Sequence, residues 1–209
     1  LTGSDDSAEN HDLAAGRRVL QLEARALARL ADELGANFSQ AVEILSQVKG
    51  RIVVSGMGKS GHIGNKIAAT MASTGTPAMF VHPAEASHGD LGMITTDDVV
   101  IALSNSGETT ELADLLAYTR RFDIPLIAMT SGADSSLAKA ADVALVLPAL
   151  TEACPMGLAP TTSTTVMLAL GDAISVAMLE RKGFSPDDFQ VFHPGGKLGQ
   201  QLLKVADIM

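Results

Sequence analysis

The sequence predicts an α/β fold: a doubly wound parallel sheet of five strands flanked by helices. Three observations predict it. Short β-branched apolar runs alternate with helical stretches from residue 51 to residue 182, the pattern of successive βαβ units. The runs are apolar nearly throughout, as in strands covered on both faces. Polar Gly/Ser-rich turns follow the first and third runs, and an open parallel sheet holds its ligands beyond the carboxyl ends of its strands.

Residues 12–34 carry Leu13, Leu20, Leu27 and Leu34 at seven-residue spacing, with Ala24, Leu30 and Ala31 beside them, which is helical periodicity. Gly35 ends that helix, and 36–48 reads as a second. The pair either covers its own sheet or forms a seam with another subunit. Residues 1–11 are polar and open on Leu1 rather than Met, so a frayed or foreign tail is expected there. Strands are expected at 51–55, 78–82, 99–103, 126–130 and 143–147. Helices are expected at 60–73, 109–122 and 135–140, with a short turn near 84–91. By analogy, five such strands suit a flavodoxin-like order. A long helix over 161–182 follows. Its apolar core, 165–179, contains Asp172 and is shorter than the roughly 20 residues a bilayer requires, so it reads as a buried helix. The tail, 185–209, is expected to be turn-rich, with a short helix after Lys197.

Composition narrows the function classes. The chain has 209 residues, 46% of them hydrophobic, which is enough for one sizeable core. Aromatics make up 3% and Trp is absent, so aliphatic and Ala packing must fill that core. A net charge of −9 argues against a nucleic-acid surface, which needs clustered Lys and Arg. A local positive potential can still hold an anionic metabolite. Cys154 has no partner for an internal disulfide and suits a reducing cytosol; it reads as a small buried residue. No secretory signal and no membrane span are visible.

The stretch Ser104-Asn105-Ser106-Gly107-Glu108-Thr109 follows the third strand. It clusters hydroxyls and backbone N–H groups at a helix start, where the helix dipole favours an anion. Several donors converging on one small, highly charged group suit a phosphate. Ser104, Asn105, Ser106 and Thr109 are the candidate cradle. The bland alternative is a capping box with Ser106 as N-cap and no ligand. After the first strand comes Ser55-Gly56-Met57-Gly58-Lys59-Ser60-Gly61. Its glycines match a dinucleotide fingerprint weakly, because the next strand ends Phe80-Val81-His82 without the expected acid. A P-loop fails too, since Val53 stands where its first Gly belongs. The better reading is a Gly loop that brings Lys59 and Ser60, behind Ser55, to a bound anion.

Two carboxylates are candidate bases. Glu111 lies in the first turns of the helix after the Ser-rich turn, and Glu152 lies among apolar residues in the loop before the long helix. Partly apolar surroundings would raise a carboxylate's pKa and make it a usable base, while a solvated surface role is the alternative for each. His82 and His88 are six apart with no third ligand nearby, a poor zinc spacing. His62 reads as local structure at a helix start, and 161–165 as a cap for the long helix or part of a pocket wall. His193 opens His193-Pro194-Gly195-Gly196.

Taken together, residues 56–62 (GMGKSGH), 82–92 (HPAEASHGDLG), 104–108 (SNSGE), 152–161 (EACPMGLAPT) and 193–199 (HPGGKLG) resemble the sugar isomerase (SIS) domain of arabinose-5-phosphate isomerases, over about 12–209. The resemblance implies an SIS domain over 12–204. It implies interconversion of D-ribulose 5-phosphate and D-arabinose 5-phosphate, feeding Kdo and lipopolysaccharide synthesis. It implies a cytoplasmic homotetramer with no organic cofactor and no nucleic-acid or membrane partner. By resemblance, Lys59, Glu111, Glu152 and His193 fall on catalytic positions. Gly75, Thr76, His82 and His88 fall on substrate-contacting ones, and residues 114–123 do so more loosely. Zinc at His82 would be inhibitory or incidental. Residues 205–209 resemble the start of a CBS module.

An aldose–ketose isomerase moves a proton between C1 and C2 and must stabilise an enediolate. Glu152 is the expected base, with Glu111 as its rival. Lys59 would polarise the oxyanion, and His193 would move hydroxyl protons, in its own site or a neighbouring subunit's. The alternatives are isomerisation of another sugar phosphate, such as a hexulose or heptose phosphate, and a non-catalytic SIS sensor of sugar phosphates.

Overall fold

The computed structural model describes residues 5–193. Three strands are fully buried along their length: β1 (Ile52–Gly56), β3 (Val99–Leu103) and β4 (Leu126–Thr130). β2 (Ala78–Phe80) and β5 (Val143–Val146) form the two edges. All pairs are parallel, in the order β2-β1-β3-β4-β5. This is the expected doubly wound order. Its reversal lies between β1 and β3, so the loops after those strands flank the crevice where such sheets bind ligands.

Helices cover both faces. On one lie α1 (Asp5–Glu33), α2 (Ala36–Ser46), α3 (Lys59–Ser73) and α7 (Thr162–Lys182); on the other lie α4 (Pro83–Ala86), α5 (Ala113–Arg121) and α6 (Ser136–Ala140). The first face buries Val42, Leu45, Ile67, Met71, Val166 and Ile174 against Ile52, Val54, Ile101 and Met129. The second buries Ala86, Leu112, Leu115 and Leu137 against Val53, Val100 and Ala128. α7 has the length and apolarity to cross a membrane, yet half of its most apolar window is buried in this fold. It packs on α3 at Gly171, which lies flush against Ile67, and the Lys66–Asp172 ion pair bridges the two helices.

Several boundaries differ from expectation, each for a local reason. β2 stops at Phe80, because His82 becomes the N-cap of α4 and Pro83 offers no N–H to a ladder. The helix expected from 109 opens instead as a 3₁₀ turn, Thr110–Leu112, and becomes α-helical only at Ala113. The Thr109 hydroxyl is 2.7 Å from Ser104 Oγ and caps nothing. α1 begins at Asp5, inside the expected tail. The expected turn-rich tail contains α8 (Pro186–Phe192), closed by a capping box between Ser185 and Asp188 with Pro at the helix start. The expected helix after Lys197 and the stretch 205–209 lie outside the described residues.

The heptad leucines of α1 divide. Ala26 is buried, and Leu27 and Leu30 pack on the core, but Leu13 is 51% and Leu20 69% exposed. The covering role therefore holds for the second half of α1 only.

Candidate active site

The loop after β1 turns at Gly58, whose φ of 58° and ψ of −125° suit a residue without Cβ. It places Lys59 as the exposed first residue of α3, in no ion pair with any described residue. The glycines around it serve packing: a Cβ on Gly61 would meet Gly56 O at 2.6 Å. Ser55 is buried at the end of β1, and its hydroxyl finds no partner among the described residues. Ser60 is half-buried, 3.9 Å from Met167 Sδ, which sets the first turn of α3 beside the second turn of α7.

The loop after β3 is a tight turn closed on itself. Ser104 Oγ accepts from Gly107 N at 3.0 Å, and Ser106 Oγ accepts from Glu108 N at 3.2 Å. Ser106 caps no helix, so the capping-box alternative is not formed. The loop after β4 holds the turn in place. Ser131 Oγ donates to Asn105 Oδ1 (2.8 Å), Ser131 N and Thr130 Oγ1 donate to Asn105 O (2.9 and 3.2 Å), and Leu137 N donates to Gly107 O (3.0 Å). Gly107 has φ +71°, and a Cβ there would collide with Ser135. Glu108 accepts from Ser136 N and Oγ at 2.8 and 2.7 Å, and those bonds hold its carboxyl below the usual range. Among the described residues, the N–H groups of Ser106 and Thr109 donate to no acceptor. With the N–H of Asn105, they are donors left for an anion. The buttress of Thr130, Ser131 and Ser136 was not foreseen, although the Thr-Ser-Gly turn after β4 echoes the one after β3.

The two carboxylates part company. Glu111 sits exposed on the 3₁₀ turn, with Thr110 Oγ1 3.2 Å from its Oε2. Glu152 is half-buried, and its Oε2 accepts from Thr161 N at 2.7 Å, Thr161 Oγ1 at 3.0 Å and Ser163 N at 3.4 Å. Burial is the largest single influence and raises its pKa. The Ser163 hydroxyl, the Thr161 N–H and hydroxyl, and the Ser163 N–H together outweigh it, so the carboxyl lies below its usual value. The Ser163 hydroxyl acts there by proximity, without hydrogen-bond geometry. The expectation of a raised pKa is thus corrected: apolar neighbours in sequence did not disclose donors arriving from α7. The expected capping by 161–165 is corrected as well. Thr161 occupies the N-cap position but makes no side-chain cap, and Glu152 takes the N–H of Ser163 instead.

Cys154, expected to be buried, is half-exposed. The N–H groups of Ala159, then Met156, Leu158 and Gly157, hold its thiol below the usual range. His62 is exposed in the first turn of α3. His82 is half-buried, with its ring edge-on to Phe80 and Nδ1 buried without a partner; His88 is exposed beyond α4. Among the described residues no three His, Cys, Asp or Glu side chains gather as metal ligands, around His82 or elsewhere.

Gly75, Thr76 and His193 lie at the opposite pole. Pro77 O accepts from Ile52 N, at the start of β1, whereas Lys59 follows its end. Lys182, at the C-terminal end of α7, donates to Gly75 O (3.0 Å) and Thr76 Oγ1 (2.9 Å), and burial lowers its pKa. Phe184 lies against Gly75 and stacks on Phe192, while the His193 ring stacks on Phe189 at 3.8 Å with Nδ1 2.8 Å from Phe189 O. α7, with 21 residues and a length of about 31 Å, separates this cluster from Glu152. One chain therefore gathers Ser55, Lys59, Ser60, the Ser-rich loop, Glu111 and Glu152 at one end, and Gly75, Thr76 and His193 at the other.

Comparison with known proteins bears on the family and the fold. The SIS domain family profile covers residues 44–177. Arabinose 5-phosphate isomerase KdsD of Yersinia pestis is 56% identical over 196 residues, 93% of this chain and 60% of that protein. Its namesake in Pseudomonas aeruginosa is 58% identical with the same coverage. The chain thus spans about 60% of the length of the curated relatives it matches. The structure of E. coli CFT073 c3406 in complex with arabinose 5-phosphate superposes with a TM-score of 0.85 at 43% identity, over 88% of this chain and 99% of that one. The Vibrio vulnificus NanR protein complexed with ManNAc-6P shares the fold alone, with a TM-score of 0.71 at 20% identity over 83% of this chain and 65% of its own. The chain belongs to the SIS domain family.

Proposed function

We propose that the chain is an aldose–ketose isomerase interconverting D-ribulose 5-phosphate and D-arabinose 5-phosphate, a cytoplasmic step whose product would feed Kdo and lipopolysaccharide synthesis. The observation that carries this reading is a cation and a turn of N–H groups, both without partners among the described residues, beside a hydrogen-bonded carboxylate at one end of the β1/β3 crevice. Similarity to the KdsD relatives and to c3406 with its bound arabinose 5-phosphate supports the choice of substrate.

The phosphate occupies the turn at 104–109, and its binding energy orients C1 and C2. Glu152 takes the C2 proton of the aldose as the C1 carbonyl electrons move to O1. The same carboxyl returns the proton to C1 while a hydroxyl proton passes from O2 to O1. Lys59 stabilises the enediolate oxygen. Glu111, exposed on its 3₁₀ turn, is the weaker candidate for the base. The pole-to-pole separation favours a site shared between copies, with His193, Gly75 and Thr76 supplied by a neighbouring subunit and His82 and His88 lining the crevice from their own. The exposed Leu13 and Leu20 stripe on α1 fits the homotetramer such sharing needs.

Incubation with ribulose 5-phosphate in deuterated water tests the reading. Arabinose 5-phosphate should form with deuterium at C2, and Glu152→Gln should lose roughly 100- to 10,000-fold in rate. Binding without turnover would make the chain a sensor, and turnover only of hexulose or heptose phosphates would change the substrate.

A further inference from the structure

We infer that Thr161 is a positioning residue for the proposed isomerisation: its hydroxyl and N–H lock one oxygen of Glu152 to the first turn of α7 and leave the other to exchange the proton. This rests on the reading of Glu152 as the C1/C2 base.

Both short bonds to Glu152 come from Thr161, at 2.7 Å from N and 3.0 Å from Oγ1. The third, from Ser163 N, is 3.4 Å long, at the weak end of hydrogen-bond geometry. All three converge on Oε2, so Oε1 accepts nothing from the described residues. A general base needs one oxygen fixed and one lone pair open toward the substrate carbon. The Thr161 hydroxyl is itself pinned. It accepts from Ala153 N at 2.9 Å, and its single proton is thereby directed at Glu152. The methyl group restricts χ1, so the hydroxyl has few other orientations. The result is a closed clasp between residues 152–153 and 161, across a loop whose outer residues Met156 and Leu158 are 73% and 78% exposed. Without that clasp a flexible Glu side chain on an outward loop would keep only the long Ser163 N–H bond and the nearby Ser163 hydroxyl to aim it.

The test compares Thr161→Val, Thr161→Cys, Thr161→Ser and Glu152→Gln in the full chain, with ribulose 5-phosphate as substrate. Val removes the hydroxyl donor, keeps the Thr161 N–H bond and leaves the Ala153 N–H unpaired. Cys keeps the volume but offers a poor donor, and serves if Val does not fold. The proposal expects Val or Cys to lower kcat between about 10- and 100-fold, as for a misaimed catalytic group, with KM within about twofold of wild type. Ser, which keeps donor and acceptor, should recover most of the loss. Wild-type kcat in Val or Cys while Glu152→Gln is inactive overturns the positioning role and spares the base. Loss in Ser equal to that in Val overturns it too, since the methyl rather than the bond would then matter. Wild-type turnover in Glu152→Gln overturns the underlying reading instead.

Discussion

Glu152 illustrates how the same residue type acquires its ionisation from partners rather than neighbours in sequence. Burial raises its pKa, but the Thr161 and Ser163 donors prevail and lower it. A depressed carboxylate contributes stability that is fully present above its unfolded value, about 4.3, and is lost as pH falls through the lower folded value. Wild type should therefore lose stability on acidification through that window more steeply than Glu152→Gln, in thermal melts over a pH series. The acid limb of kcat/KM in the wild type should lie at or below the ordinary carboxylate range, not above it. Gly107 makes a second residue-scale case. Its φ of +71° and the absence of room beside Ser135 predict that Gly107→Ala costs about 1–3 kcal/mol in denaturant unfolding. The same change should raise KM for the sugar phosphate, because it deforms the N–H turn.

Elements follow the sequence where the signal is a repeated local pattern. The fully apolar runs of β1, β3 and β4 were readable because both faces of those strands are buried. Boundaries failed for local reasons: the Thr109 hydroxyl bonded to Ser104 instead of capping a helix, and the strand ended before Pro83, which has no N–H for the ladder. α8 carried a readable Ser-Pro-Asp-Asp start that the glycine- and proline-rich tail obscured. The α3–α7 contact predicts which inter-helix interaction matters. Gly171 presses on Ile67 without space for a Cβ, so Gly171→Val should destabilise by roughly 2–3 kcal/mol through overpacking. The Lys66–Asp172 pair is nearly half exposed at each end, and Asp172→Asn should cost at most about 1 kcal/mol. Urea denaturation of the two variants, side by side, checks that ranking.

At the scale of the molecule, the long α7 holds the two sets of site residues apart. If His193 serves a neighbour's crevice, Lys59→Ala and His193→Ala chains should each be inactive alone. Refolded together, they should regain activity, because a mixed pair contains one site with both residues intact. The recovered rate should approach a quarter of wild type for random two-chain pairing, as about half the pairs are mixed and each carries one of two sites. Absence of recovery in mixed oligomers verified by mass would assign each site to a single chain.

Residue order alone determined the sheet class, the strand sequence and the family, because periodicity and short motifs are written in contiguous residues. Tertiary structure decided the ionisation of Glu152, the buttress beneath the Ser-rich turn and the distance of His193 from the crevice. Those depend on donors and helix ends that meet or separate only in the folded chain: Thr161 returns across a loop to clasp Glu152, and about 31 Å of helix carries the chain away from it.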